Sequence, residues 1–192
     1  MEGRFPYPPH AGKAKERLGH GPPASIEDRK EEHRVSKAFE QLRRLAADYC
    51  HIIETVDEQD ARWLQRIFHL LPQLHAAIAV LLEEGGRDGT HQEADLDARF
   101  ELYTKLHRLL GERDPYWMEY DLGREECRSG SLADDLTDIY CELKQGLVRL
   151  EEERADPGHI LGQWQRGYRL HWGRHLVDAE RHLYDLSSRG IL

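Results

Sequence analysis

Four polar side chains recur along one edge of the last long amphipathic stretch: His171, His175, Asp178 and His182. At 100° per residue they fall within about 60° of one another, beside the apolar seam rather than on the wet back of the helix. His171 and His175 are four residues apart, a spacing at which two imidazoles reach one metal ion. The preceding helical stretch has a comparable edge, with Asp135, Asp138 and Glu142 again within about 60°. Only Asp156-Pro157-Gly158 separates the two stretches, so they must run as antiparallel neighbours. One of the two possible arrangements of such a pair sets imidazoles against carboxylates. In that arrangement His171, His175 and a carboxylate from Asp135, Glu142 or Asp178 can hold a divalent transition metal.

The same contact without a metal is a structural clasp, in which boundary histidines donate to carboxylates of the next helix. Acidic residues at the start of a helix also have a dipole role of their own. The chain has no Glu-x-x-His motif of the di-iron carboxylate bundles and no second matching helix, which weights the pattern toward the clasp. A separate group of aromatics, Tyr116, Trp117 and Tyr120 with Trp172, has the side-chain types favoured as anchors for a protein partner, and it also suits packing at a bundle end. Cys50 and Cys141 read as small core residues, because no neighbouring motif lowers a thiol pKa. No glycine pattern follows a strand, which excludes phosphate-loop and dinucleotide sites.

The elements that must position these residues are helices. Val35, Phe39, Leu42, Ala46, Tyr49, Ile53 and Val56 alternate spacings of four and three, the seam of a core-facing first helix. A second is expected from about Glu58 to Glu84, capped by Asp57 and kinked or divided at Pro72. A third carries Leu96, Phe100, Tyr103, Leu106 and Leu110, opening at Thr90 or Asp95 and stopping at Gly111. A fourth starts at Ser131 as N-cap and buries Leu132, Leu136, Ile139, Leu143, Leu147 and Leu150. The fifth runs from about His159 to Ser187. The stretch from Asp114 to Asp121 reads as a turn and short helix. The pattern therefore predicts an all-α, up-down bundle of about five amphipathic helices over residues 25–192, without strands.

Residues 1–24 are rich in Pro and Gly, and hold four basic and two acidic residues. Too few apolar side chains are present to offset the ordering entropy, so a disordered arm is expected there. With 39% hydrophobic and 33% charged residues and a formal charge of −9, the chain as a whole repels phosphate, making nucleic acid an unlikely partner. Three widely spaced cysteines form no disulfide framework, and no apolar run approaches a membrane span or a signal segment. A cytoplasmic location is the expectation.

Several stretches together resemble a bacterial family, domain of unknown function 5063. They are Leu110-Gly-Glu-Arg-Asp-Pro-Tyr-Trp117, Ser131-Leu-Ala-Asp-Asp-Leu-Thr-Asp-Ile-Tyr140 with Leu143-Lys-Gln-Gly146, His171-Trp-Gly-Arg-His-Leu-Val-Asp178, and Asp48-Tyr-Cys50. The resemblance covers about residues 30–187 and implies a helical bundle, a bacterial origin and no particular activity or cofactor. The sequence thus points first to a non-enzymatic bundle that acts through protein contacts, including self-association. The alternative is a small metal-binding or metal-dependent protein using the polar edge of the last two helices.

Overall fold

The structure is a computed structural model that describes residues 26–83, 95–121, 126–152 and 155–192. Helices α1 (Ile26–Thr55), α2 (Trp63–Leu81) and α3 (Leu96–Leu110) are followed by strands β1 (Pro115–Asp121) and β2 (Glu126–Ser131). Helices α4 (Leu132–Glu151), α5 (Pro157–Gly167) and α6 (Gly173–Ser188) complete the chain. The expected arm, residues 1–24, lies outside the described residues, as do the Ser25 cap and the glycines after α2. None of the described helices is long and apolar enough to cross a membrane.

Helix α4 is the centre of the bundle, packed against α1, α3, α5 and α6, while α2 rests on α1 and α6. No residue between Ser131 and Leu150 is fully exposed. Ser131 caps α4 as its sequence requires, accepting from the Asp134 amide at 3.2 Å, and Asp156 caps α5 by accepting from the Gly158 amide at 2.7 Å. Asp95 caps α3 through the amides of Asp97 and Ala98, and Gly111, at φ 55°, ends it. Tyr49 of α1, fully buried, donates to the Leu136 carbonyl at 2.8 Å and ties the first helix to the central one.

Four expectations need correction. Residues 115–121 form a strand, not a short helix, and pair antiparallel with 126–131 in the register Tyr116 opposite Gly130. The run Tyr-Trp-Met-Glu-Tyr suits a pleated surface, and Asp114 anchors its start by accepting from Ser131 Oγ and the Ala133 amide. The fold is therefore mostly helical with a two-stranded antiparallel sheet. Helix α2 begins at Trp63, five residues later than expected, because Asp57 is used in a turn in which it accepts from the Gln59 amide. It runs through Pro72 as one helix to Leu81, with Leu70, Leu71 and Leu74 buried on either side of the proline. On α3 the expected seam fails at its start: Leu96 and Phe100 are 76% and 67% exposed, and Leu106 and Leu110 are the buried residues.

The fourth correction concerns the last helix, which holds a π turn over Tyr168–Trp172 between α5 and α6. The widened turn is shaped by its glycine exit. A Cβ on Gly173 would sit 2.3 Å from the Tyr168 carbonyl oxygen, so no side chain fits there. At the α4–α5 crossing, Gly146 leaves the same kind of space: a Cβ would lie 2.4 Å from Nε1 of the buried Trp164.

Candidate metal centre

Three carboxylates, Asp135, Asp138 and Glu142, lie on one face of α4 and are all buried. Burying charge in a helix core is costly unless each group is met by partners. The partners come from α3, α6, the π turn and the hairpin. His175 of α6 presents both ring nitrogens to α4: Nδ1 lies 2.8 Å from Asp135 Oδ1 and Nε2 lies 3.3 Å from Asp138 Oδ2. His171, in the π turn, repeats the pattern one turn away, with Nδ1 3.2 Å from Glu142 Oε1 and Nε2 3.8 Å from Asp138 Oδ2. The two rings meet edge to face with centroids 5.0 Å apart. Each Nδ1 is thus backed by a carboxylate of its own, and both Nε2 atoms converge on one oxygen of Asp138.

The other oxygen of Asp138 is occupied. Arg99 of α3 donates to Oδ1 from Nε at 2.7 Å, and to Asp134 from its Nη2 at 2.8 Å. Those two hydrogen bonds, Asp138 foremost, hold the guanidinium pKa above its ordinary value against the effect of burial. Arg99 therefore fixes the rotamer of Asp138 and leaves Oδ2 turned to the imidazoles.

The spacing fits a first-row divalent ion. Ligand atoms about 2.0–2.1 Å from a tetrahedral metal stand about 3.3 Å from one another. The 3.3 and 3.8 Å separations bracket what that geometry, or a slightly wider one, requires. The donor atoms of Asp138, His171 and His175 all lie within 4.8 Å of one another. Asp134 and Asp138 share the Arg99 guanidinium, while Asp135 is met by His175 and Tyr116. Burial opposes the charge on His175, but its hydrogen bond to Asp135 and the fields of Asp135, Asp138 and Asp134 prevail, so its pKa is raised. Burial also pushes Asp135 up, partly offset by hydrogen bonds from His175 and Tyr116.

The chain matches, over residues 33–189, the family described as domain of unknown function (DUF5063). The chain belongs to this family. A crystal structure of protein BF1032 from Bacteroides fragilis shares the fold of this DUF5063 domain with a TM-score of 0.60 and 22% identity, covering 76% of this chain and 89% of that one. No curated protein sequence matches it significantly.

Within the DUF5063 domain, the residues named from sequence divide clearly. Of the arrangements open to two antiparallel helices, the observed one brings His171 and His175 onto α4. Asp135 and Glu142 meet the Nδ1 side of the rings, backing them rather than facing the point where the Nε2 atoms converge. Asp178 stands apart from the cluster, 3.7 Å from Arg174 Nε, and lines a neighbouring cleft of about 470 Å³ with Asp135, His175, Tyr103, Tyr116 and the β2 residues 128–131. The carboxylate at the centre is Asp138, which lay farther round the same helical edge, and the residue that aims it, Arg99, carries no sequence signal because its partner is 39 residues away. His182 is used structurally, with Nε2 2.8 Å from the Arg113 carbonyl.

The expected partner-facing aromatics also separate. Trp172 is fully buried and donates to the Trp164 carbonyl at 3.1 Å, so it offers no surface. Tyr116 turns inward, stacks on His182 with centroids 4.6 Å apart and donates to Asp135 Oδ2. Trp117 points outward and is 73% exposed. The side chain of Tyr120 lies outside the described residues.

Proposed function

We propose that this DUF5063 domain is a metal-binding helical bundle in which His171 Nε2, His175 Nε2 and Asp138 Oδ2 ligate one divalent transition metal. One observation carries the reading: both Nε2 atoms converge on a single Asp138 oxygen while a separate carboxylate backs each Nδ1. Metal-ligating histidines characteristically donate their second ring N–H to such an acceptor, which sets the tautomer and raises ligand basicity. Two nitrogens and one oxygen suit Zn2+, Fe2+ or Mn2+. Three protein ligands leave coordination positions for water or a small ligand, the arrangement of reactive rather than closed structural sites. The half-exposed His171 supports access to those positions.

Metal analysis of the purified protein, followed by calorimetric titration of chelator-stripped protein with Zn2+, Mn2+ and Fe2+, tests this. One equivalent bound, lost in His171→Ala and His175→Ala, is the expected result. Absence of saturable binding by all three ions would leave the cluster as a clasp between α4 and α6.

A second reading, contact with a protein partner or a second copy, rests on Trp117. A tryptophan 73% exposed on a hairpin is the type of side chain that anchors interfaces. Sedimentation of wild type and Trp117→Ala over a range of concentrations tests the self-association arm. A wild type that stays monomeric, and retains no protein from extract that the variant lacks, removes this reading.

A further inference from the structure

Tyr116 links the β1–β2 hairpin to the polar row of α4 through a side-chain hydrogen bond. Its hydroxyl donates to Asp135 Oδ2, whose other oxygen, Oδ1, accepts from His175 Nδ1 at 2.8 Å. The far nitrogen of the same ring is the one 3.3 Å from Asp138 Oδ2. The sequence Tyr116, Asp135, His175 and Asp138 is thus a continuous line from the hairpin to the point where the donor atoms converge.

The position of Tyr116 is built rather than incidental. Its ring lies flat over the cross-strand residue Gly130, where a Cβ would fall 2.2 Å from Cζ and 2.6 Å from the hydroxyl oxygen. On its other side it stacks on His182, which is itself tied to the Arg113 carbonyl. Gly130 and His182 leave the ring one location, and that location delivers the hydroxyl to Asp135. The same ring lines the cleft, together with Asp135 and His175. The cleft therefore borders the residue that orients the backing carboxylate.

We infer that Tyr116 is a positioning residue for the metal centre, coupling the hairpin and the cleft beneath it to metal affinity through Asp135 and His175. This rests on the metal-binding reading above. When Tyr116 holds Asp135 Oδ2, the carboxylate cannot rotate, and Nδ1–H of His175 has a fixed acceptor that points Nε2 at Asp138. Without the hydroxyl, Asp135 is free to turn, and His175 loses its preset orientation. Outer-shell partners of this kind typically change metal affinity by about 10- to 100-fold, and Tyr116 stands one bond farther out, so roughly tenfold is expected.

The test is calorimetric Zn2+ titration of chelator-stripped full-length protein, comparing wild type with Tyr116→Phe, Gly130→Ala and Trp117→Ala. Tyr116→Phe keeps the ring, its stacking on His182 and its fit over Gly130, and removes only the hydroxyl. Gly130→Ala displaces the whole ring by an independent route. Trp117→Ala alters the outward residue of the same strand. The expected result is a Kd about tenfold weaker in the first two and unchanged in the third. The Co2+ form of Tyr116→Phe should also show an altered visible absorption spectrum, which loss of packing alone would not cause in a metal site that remains filled. A Tyr116→Phe Kd within twofold of wild type, or equal weakening in Trp117→Ala, overturns the inference. Failure of the wild type to bind Zn2+ at all overturns instead the reading on which it rests.

Discussion

Asp138→Asn separates the two roles of the central carboxylate and has a magnitude that follows from its contacts. The substitution keeps shape and leaves an oxygen to accept from Arg99, 2.7 Å away, but makes that bond neutral on the acceptor side. A hydrogen bond to a charged group contributes about 1.5–3 kcal/mol and an ordinary one about 0.5–1.5 kcal/mol, so the metal-free protein should lose about 1 kcal/mol. Asp134 still holds the other arm of the guanidinium at 2.8 Å, which limits the loss. For a domain of this size that corresponds to a fall in Tm of about 2–4 °C. The metal-bound comparison is larger. A ligand present at 100 times its Kd stabilises the native state by about 2.7 kcal/mol, or about 5–11 °C. Wild-type protein should therefore melt about 5–11 °C higher with saturating Zn2+ than with chelator, and Asp138→Asn should show nearly none of that gain. Differential scanning calorimetry of both proteins under both conditions makes the measurement. A wild-type gain retained in full by Asp138→Asn would refute the placement of Asp138 as a ligand.

Further expectations concern the frame that holds the site. Gly146→Ala places a methyl 2.4 Å from the indole nitrogen of fully buried Trp164, and the resulting overpacking should cost about 1–3 kcal/mol, read as a lower denaturation midpoint with an unchanged m-value. Gly173→Ala collides with the Tyr168 carbonyl at 2.3 Å, so it should disrupt the π turn and weaken Zn2+ binding more than Gly146→Ala does, because His171 sits within that turn. Tyr49→Phe removes a buried hydrogen bond to the Leu136 carbonyl and should cost about 1–2 kcal/mol in chemical denaturation. Burial pushes the Cys141 thiol up to about 11, with Asp138 adding to the effect. Its alkylation by iodoacetamide should be slow at pH 8 and accelerate toward pH 11, and fast labelling at pH 8 in folded protein would contradict the burial.

Much of the frame was legible because helical burial is local and periodic. The seams on α1 and α4 follow from spacings of three and four, and the caps at Asp95 and Ser131 follow from side chains within three residues of the amides they satisfy. The strands were not legible. β2 reads Glu-Cys-Arg-Ser-Gly-Ser, with no apolar alternation to announce it, and a strand is defined by a partner elsewhere in the chain. The π turn left a faint trace, since Trp164, Tyr168, Trp172 and Leu176 are separated by three successive spacings of four, more than an unbroken α-helix keeps on one face. That trace reads as ordinary amphipathicity unless the extra residue per turn is counted.

The site divides the same way. The sequence by itself determined that His171 and His175 share one helical edge, that Asp135, Asp138 and Glu142 share another, and that a short Asp-Pro-Gly link makes the two helices antiparallel neighbours. These are consequences of helical period and link length. Only the tertiary structure decided that the edges face each other, because that depends on which side of α4 the later helix packs. It also decided that Asp138, rather than Asp135, Glu142 or Asp178, stands where the imidazoles converge. Arg99 from α3 and Tyr116 from the hairpin orient the carboxylates, and neither is a neighbour of α4 in sequence. Periodicity places residues on faces, whereas aiming a carboxylate oxygen takes hydrogen bonds from elements far away along the chain.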